Sequence, residues 1–265
     1  MMMLSNIFVT RALQVLGSNI AIMAVFYLFL AGLAWLAGYV WFREAWRRRK
    51  IIPTYPAMSD LGREILHSGM SVVIFALFVV LTWWMKLNGW TKIYTDIPRY
   101  GWWWFCLSLP VTIVLHDTYF YWTHRAMHAG PFYRWFHLTH HRSHNPSPWT
   151  SYSFAPLEAT VQAGILPLAA VLYPIHPIPW ALFMIFQFGI NVLIHCGYEI
   201  VPRRYVGSWA AAILSTPTSH VVHHQYSRGN YGFVFSFWDN LMGTNHARYQ
   251  ERLESVIGHA NPSNR

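Results

Sequence analysis

The sequence predicts an all-α integral membrane protein of about four to five membrane helices, one pair of them a hairpin, carrying a cytoplasmic histidine-rich helical cap. Three observations point there. Charged residues are 11% of the chain and hydrophobic residues 54%, against about 25% charged in soluble globular proteins. Several long segments carry no charge at all. The fifteen histidines stand in sets between and after those segments.

Taken in order, Ala12–Phe42 is free of charge, and its core Ile20–Phe42 is long enough to cross a bilayer as a helix. No small-residue cleavage site follows it, so the span is expected to stay in the mature protein. Ser68–Met85 is a second charge-free run, with Trp83, Trp84 and Trp90 as interfacial anchors near its far end. A third run begins at Gly101 and is interrupted at His116 and Asp117. At ~1.5 Å per residue it covers about 22 Å, which places His116 near the inner edge of the hydrocarbon. Ala159–Tyr198 is apolar again, and Pro174, Pro177 and Pro179 break it in the middle. That pattern predicts a helical hairpin that leaves the membrane on the side it entered. The chain thus divides into N-terminal membrane helices with a basic loop (1–100), a histidine-bearing domain (101–250) and a polar C-terminal tail (251–265).

Lys and Arg outnumber Asp and Glu by 19 to 10. The densest basic run, Arg47–Lys50, directly follows the first span, where a cytoplasmic flank is basic. The excess therefore reads as membrane orientation, and nucleic-acid binding is excluded. With Arg43–Arg63 cytoplasmic, residues 116–158 and the chain from Glu199 onward fall on the cytoplasmic face too. Cys106 and Cys196 each lie in an apolar segment, which leaves no disulfide framework and no cysteine zinc site.

By that topology the histidine sets arrive at one membrane face. His124 and His128 are four apart, so one helix aims both at a single small volume. His137, His140 and His141 form a His-x-x-His-His set, and His220, His223 and His224 form another. Adjacent members of such a set diverge by about 100° on a helix, so one can serve one ion and its neighbour a second. These sets with His195 can surround two metal ions and leave positions open for oxygen. Isolated His67, His176, His246 and His259 read as ordinary structural residues. Imidazole suits zinc, copper, iron and nickel alike. A closed structural zinc needs only four ligands, and the paired Glu-x-x-His motifs of a carboxylate-bridged di-iron bundle are missing. An all-histidine dinuclear site is what remains.

At these residues the chain resembles the fatty acid hydroxylase/sterol desaturase superfamily. The resemblance covers about residues 100–246 and rests on His116-Asp117-Thr118-Tyr119-Phe120-Tyr121-Trp122-Thr123-His124-Arg125-Ala126-Met127-His128, Phe136-His137-Leu138-Thr139-His140-His141 and Ser219-His220-Val221-Val222-His223-His224. Asn230-Tyr231-Gly232 and Phe237–Thr244 extend it, and the run to Trp238 looks closest to the sterol C5-desaturase-like branch. The resemblance implies a membrane enzyme that holds two iron ions, uses O2 and external electrons, and hydroxylates or desaturates a lipid. Zinc can replace iron on isolation. Carried over by position, the implied ligands are His124, His128, His137, His140, His141, His195, His220, His223 and His224, with Asn191 as a water-mediated tenth. His116 is expected beyond the ligands. Asp117 and Asp239 are expected to accept the free N–H of ligand imidazoles, and Arg125 to pair with one of those carboxylates.

Trp122, Trp135 and Trp149 are expected at a lipid access route. No dinucleotide fingerprint is present, so a separate donor is expected, a ferredoxin or cytochrome b5-like protein with its reductase, docking on Arg203-Arg204 and Arg47–Lys50. The competing class is a histidine-rich metal transporter or sensor. Transporters place ionisable residues near the bilayer midplane, whereas these histidines gather at one face.

Overall fold

The computed structural model describes residues 2–259, and among them every regular element is helical. Helix α1 (Met2–Trp35) runs straight into a π-helical turn (Leu36–Trp41), and α2 (Met58–Leu87) returns antiparallel to it. Helix α3 spans Gly101–Met127, and its 27 residues extend for about 40 Å. A second π-helical turn (Tyr133–His137) leads into the short α4 (Leu138–His141). The hairpin follows as α5 (Pro156–Ala163) and α6 (Ile165–Leu172) on the way in and α7 (Pro177–Ile194) on the way out. The cap is completed by α8 (Pro217–Tyr226), α9 (Phe237–Met242) and α10 (Tyr249–His259).

Three helices are long and apolar enough to cross a membrane: Asn6–Trp41, Met58–Leu87 and Pro177–Ile194. Their outward faces are strongly apolar, with Leu13, Val25 and Phe29 each more than 60% exposed. A water-soluble surface does not carry so continuous an apolar belt, so this is a membrane protein. On the inner side, Met23, Tyr27 and Ala31 of α1 pack against Val72 of α2, Phe188 and Val192 of α7, and the Tyr152–Phe154 segment. The Tyr27 hydroxyl donates to the Trp149 carbonyl at 2.9 Å and so pins that segment under the membrane core.

The local signals that start the helices are legible. Pro occupies the first turn of α5, α7 and α8, where its missing N–H costs nothing. Thr216 caps α8 by accepting from Ser219 N at 3.2 Å, and His176 caps α7 by accepting from Ile178 N at 3.2 Å. The hairpin turns where its prolines cluster, and Trp104 Nε1 clamps that turn by donating to the Pro174 carbonyl at 2.9 Å.

The basic loop lies against the histidine cap. Lys50 bridges to Tyr198, Ile51 N donates to Gly197 O at 3.1 Å, and Arg49 Nη1 donates to Val201 O at 2.6 Å. Gly197 is required at this seam. Its φ is +76°, and a Cβ there would meet the Tyr39 hydroxyl and the Pro146 carbonyl. Two expectations are corrected here. Lys50 is buried among Tyr39, Tyr55 and Tyr198, so it is not part of an exposed docking run; burial lowers its pKa to about 8. The segment read as a polar tail contains α10, whose Leu253 and Ile257 pack on Tyr205. Their four-residue spacing puts both on one face, while Glu251, Arg252 and Glu254 give the helix its charge. Residues 260–265 of that segment lie outside the described residues.

Candidate metal centre

Five elements deliver the histidines. His124 sits on the last turn of α3, and His128, one turn on, is its C-terminal cap. His137 closes the π-helical turn, and His140 and His141 belong to α4. His195 follows α7 as its C-terminal cap, and α8 supplies His220, His223 and His224. Single π-helical turns recur at functional sites because the extra residue re-aims a side chain. Here the turn lets His137 and the His140-His141 pair face the same interior.

The nine histidines fall into two clusters. His124, His128, His137, His141 and His223 form one, and His140, His195, His220 and His224 form the other; within each, the candidate ligand atoms lie within 4.8 Å of one another. Each adjacent pair is split: His140 and His141 go to different clusters, as do His223 and His224. About 100° of helical rotation per residue produces that division.

The Nε2 atoms point inward. His124 and His137 bring theirs to 2.8 Å, His128 and His223 to 3.1 Å, and His141 and His223 to 3.0 Å. In the second cluster the Nε2 separations are 3.3 Å for His195–His140, 2.9 Å for His220–His195 and 3.2 Å for His224–His220. Five outer nitrogens face a carbonyl or carboxylate oxygen and that of His141 the Ser227 hydroxyl (3.0 Å), while Nδ1 of His220 and of His224 has no hydrogen-bond partner. Nδ1–H of His124 donates to the Tyr231 carbonyl (2.8 Å), that of His195 to the Asn191 carbonyl (2.8 Å) and that of His223 to the Gly229 carbonyl (2.7 Å). His140 Nδ1 faces the Ser153 carbonyl at 3.3 Å, and His137 Nδ1 meets Glu158 Oε1 at 2.6 Å. A carbonyl can only accept, so His124, His140, His195 and His223 carry their proton on Nδ1 and an Nε2 lone pair faces the centre. Lone pairs at such separations repel one another unless a cation lies among them. The donor set therefore fits two metal ions, and imidazole nitrogen suits iron as it does zinc, copper and nickel.

Burial reinforces this state. His220, His223 and His224 are held well below the ordinary histidine range, first by loss of water and then by the neighbouring imidazoles, and His141 is lowered to about 3. For a base whose folded pKa is depressed, the unfolded chain binds more protons below 6.5, the ordinary value. The resulting stability is present above 6.5 and is lost as pH falls toward the folded value. Acidification from about pH 7 to about pH 5 is thus expected to release bound metal and lower the unfolding temperature together, read by metal analysis and thermal melts. Equal metal retention across that window would contradict the all-imidazole centre.

Several sequence expectations for the surroundings are corrected. Asp117 accepts no imidazole N–H; it takes the backbone N–H groups of Val234 (2.7 Å) and Phe235 (3.1 Å). Asp239 takes those of Tyr231 (2.9 Å) and Gly232 (2.7 Å) and the Thr244 hydroxyl (2.7 Å). Both carboxylates shape the loop whose Tyr231 carbonyl orients His124, so they act one step further out. Arg125 lies over Trp122 and donates to the Tyr121 hydroxyl at 3.3 Å instead of pairing with a carboxylate. Asn191, the expected water-mediated tenth ligand, donates its side-chain amide N–H to the Ser151 carbonyl (2.6 Å), and its backbone carbonyl accepts from His195 Nδ1–H (2.8 Å). His116 lies outside both clusters and accepts from Gln187 Nε2 at 3.1 Å. His67, His176 and His246 are also outside them, and the side chain of His259 lies outside the described residues.

Glu158 was missed as an imidazole partner. The available signal was a lone carboxylate at the start of an apolar hairpin, where it costs much to bury unless it serves another group. It is 1% exposed, and burial raises its pKa.

A cavity of about 430 Å³ lies between α1, α2 and α7, within the usual range for small-molecule sites. Its aromatic lining is Phe26, Trp83, Trp180 and Phe188. Trp122, Trp135 and Trp149 are not among its walls. Trp122 packs edge-on against Trp238, and Trp149 packs edge-on against Tyr27.

The fatty acid hydroxylase family model matches residues 109–244, just over half of the chain. Among curated relatives, the Delta(7)-sterol 5(6)-desaturase of Gibberella zeae is 30% identical over 194 residues, covering 73% of this chain and 58% of the relative. A Delta(7)-sterol 5(6)-desaturase of Aspergillus fumigatus is 28% identical, covering 70% of this chain and 63% of the relative. The lathosterol oxidase of Rattus norvegicus is 25% identical, with 70% of this chain and 61% of the relative covered. The chain thus spans about three fifths of the length of these relatives. No solved structure matches it.

Proposed function

The chain belongs to the fatty acid hydroxylase family, and from that premise we propose that it is a membrane-bound, O2-dependent di-iron oxidoreductase that desaturates or hydroxylates a lipid. The observation that carries this reading is the pair of histidine clusters with converging Nε2 atoms, buried beneath a membrane-facing apolar cavity. His124, His128, His137, His141 and His223 would hold one iron, and His140, His195, His220 and His224 the other. When bound, the two irons supply O2 activation strong enough to oxidise an unactivated C–H bond. The residues supply the rest. The Nδ1 acceptors fix ring orientation and tautomer, and Glu158 raises the basicity of His137. Phe120 and Phe154 pack on His124 and His140 and keep water from the membrane side of the centre. The similarity to sterol desaturases favours the sterol branch and a sterol-like substrate.

The test is reconstitution in lipid with ferrous iron, a reductase and a ferredoxin or cytochrome b5-like donor. Donor-dependent O2 uptake that requires added lipid supports the reading. Metal flux into sealed vesicles without O2 uptake would replace it with a transporter.

The histidine cap belongs on the cytoplasmic face, in keeping with the basic loop packed against it. In a Cys106→Ser background, Arg204→Cys is expected to react with an impermeant maleimide only after permeabilisation, and Asn88→Cys in intact cells. The opposite pattern would invert the topology. Exposed Arg47, Arg48, Arg203 and Arg204 form the basic surface offered to the donor. Reversing Arg203 and Arg204 to Glu is expected to lower donor-dependent turnover about tenfold at low salt, with less effect at high salt.

A further inference from the structure

Between the apolar cavity and the histidine clusters lies a second, much smaller pocket of about 20 Å³. Leu166 and Met184 line both pockets, so the two are adjacent and meet at these side chains. Its inner wall reaches the centre, through Phe120 against His124 (4.9 Å between ring centroids) and Phe154 against His140 (5.2 Å). Unlike the large cavity, it is not simply apolar. His116, Gln162 and Gln187 line it.

These side chains are under-satisfied. Gln162 is only 6% exposed, and its amide nitrogen has no hydrogen-bond partner. Gln187 donates to His116 Nε2 at 3.1 Å, while its amide oxygen has none. Leaving a buried donor and a buried acceptor unpaired forfeits the hydrogen bonds that both groups made with water in the unfolded chain. A sequence bears that cost when a ligand group satisfies the pair. A hydroxyl both donates and accepts, and the pocket has room for about one such group.

We infer that Gln162 and Gln187, with His116 buttressing Gln187, form a recognition site for a hydroxyl group of the lipid substrate. The assignment rests on the lipid-oxidising reading above and adds to it the substrate's chemistry and the residues that read it. Gln187 stands two helical turns before His195, and His116 two turns before His124. Eight residues of helix are about 12 Å, so these groups are too far along the path to be metal ligands. Their place is on the substrate's route, where the amide pair rejects a hydrocarbon of the same shape because such a ligand leaves both amides unpaired.

The test uses full-length protein in lipid nanodiscs and equilibrium binding of two matched pairs, cholestanol with cholestane and hexadecanol with hexadecane. Wild-type protein is expected to prefer the alcohol of at least one pair by about tenfold to a hundredfold. The double variant Gln162→Leu, Gln187→Leu should lose that preference while keeping its hydrocarbon affinity and its metal content. Gln162→Met alone, which removes the Gln162 carboxamide with its orphan donor and leaves Gln187 in place, should lower the preference several-fold, so the result does not hinge on the double variant's folding. No preference in wild-type protein for either alcohol would mean that the pocket holds only a water, and the assignment would fail. A preference that survives the double variant would overturn it as well. Binding is read apart from turnover. Alcohol preference without oxidation would leave this site standing and remove the oxygenase reading, while oxidation without preference would do the reverse.

Discussion

Replacing His223 with alanine is expected to lower lipid oxidation by more than about a hundredfold, beyond the 10–100-fold effects typical of groups outside the ligand shell. The same change is expected to reduce bound iron from about two ions per chain to about one. His223 is the hub of the larger cluster. Its Nε2 approaches those of His128 (3.1 Å) and His141 (3.0 Å), and its Nδ1–H is anchored on the Gly229 carbonyl (2.7 Å). Removing the ring takes away an inward nitrogen and opens a gap that water can enter. The smaller cluster keeps its own four histidines, so its ion should remain. That retained ion separates loss of a ligand from loss of the fold. His246→Ala is the matched control, because His246 stacks on Tyr226 away from both clusters and should leave iron and activity unchanged.

Glu158→Ala is expected to produce the second largest loss, a 10–100-fold drop in iron affinity with a parallel drop in activity at limiting iron. Oε1 of Glu158 lies 2.6 Å from His137 Nδ1, and both groups are almost fully buried. Without that acceptor, the ring can rotate or carry its proton on the inward nitrogen. Glu158→Gln keeps an oxygen acceptor and should recover most of the affinity. A purely structural role predicts otherwise, with alanine and glutamine differing in melting temperature but not in iron affinity at saturating folding. Iron titration monitored by absorbance, beside thermal melts, distinguishes the two.

Much of this architecture was legible in the residues. The charge-free runs at Ile20–Phe42 and Ser68–Met85 fall on α1 with its π-helical extension, which Phe42 caps, and within α2, because a span must satisfy its backbone internally and expose apolar side chains to lipid. The prolines at 174, 177 and 179 mark the hairpin turn for an equally local reason. The histidine sets were visible because i, i+3 and i+4 spacing is itself a statement about one face of a helix.

What was not legible depends on contacts distant in sequence. Tyr231 O, Gly229 O and Ser153 O are backbone acceptors, and no residue type announces that a carbonyl will face an imidazole. Asp117 and Asp239 looked like imidazole partners because they flank the histidine strings, yet the loop at 231–235 needed its own N–H groups satisfied and took both. Lys50 reads as the end of a solvated basic run and is instead closed over by tyrosines. The π-helical turn at Tyr133–His137 has no sequence signature, though it sets where His137 points.

The central claim is oxidation of a membrane lipid at the histidine centre, and lipid mass spectrometry tests it most directly. Cells expressing the wild-type chain are compared with cells expressing the His140→Ala, His223→Ala double variant, which disables both clusters. A lipid that gains one oxygen, or loses a pair of hydrogens, only in wild-type cells is the predicted result, and it names the substrate. Identical lipid profiles, with iron loading and a working donor verified in the wild-type cells, would contradict the account.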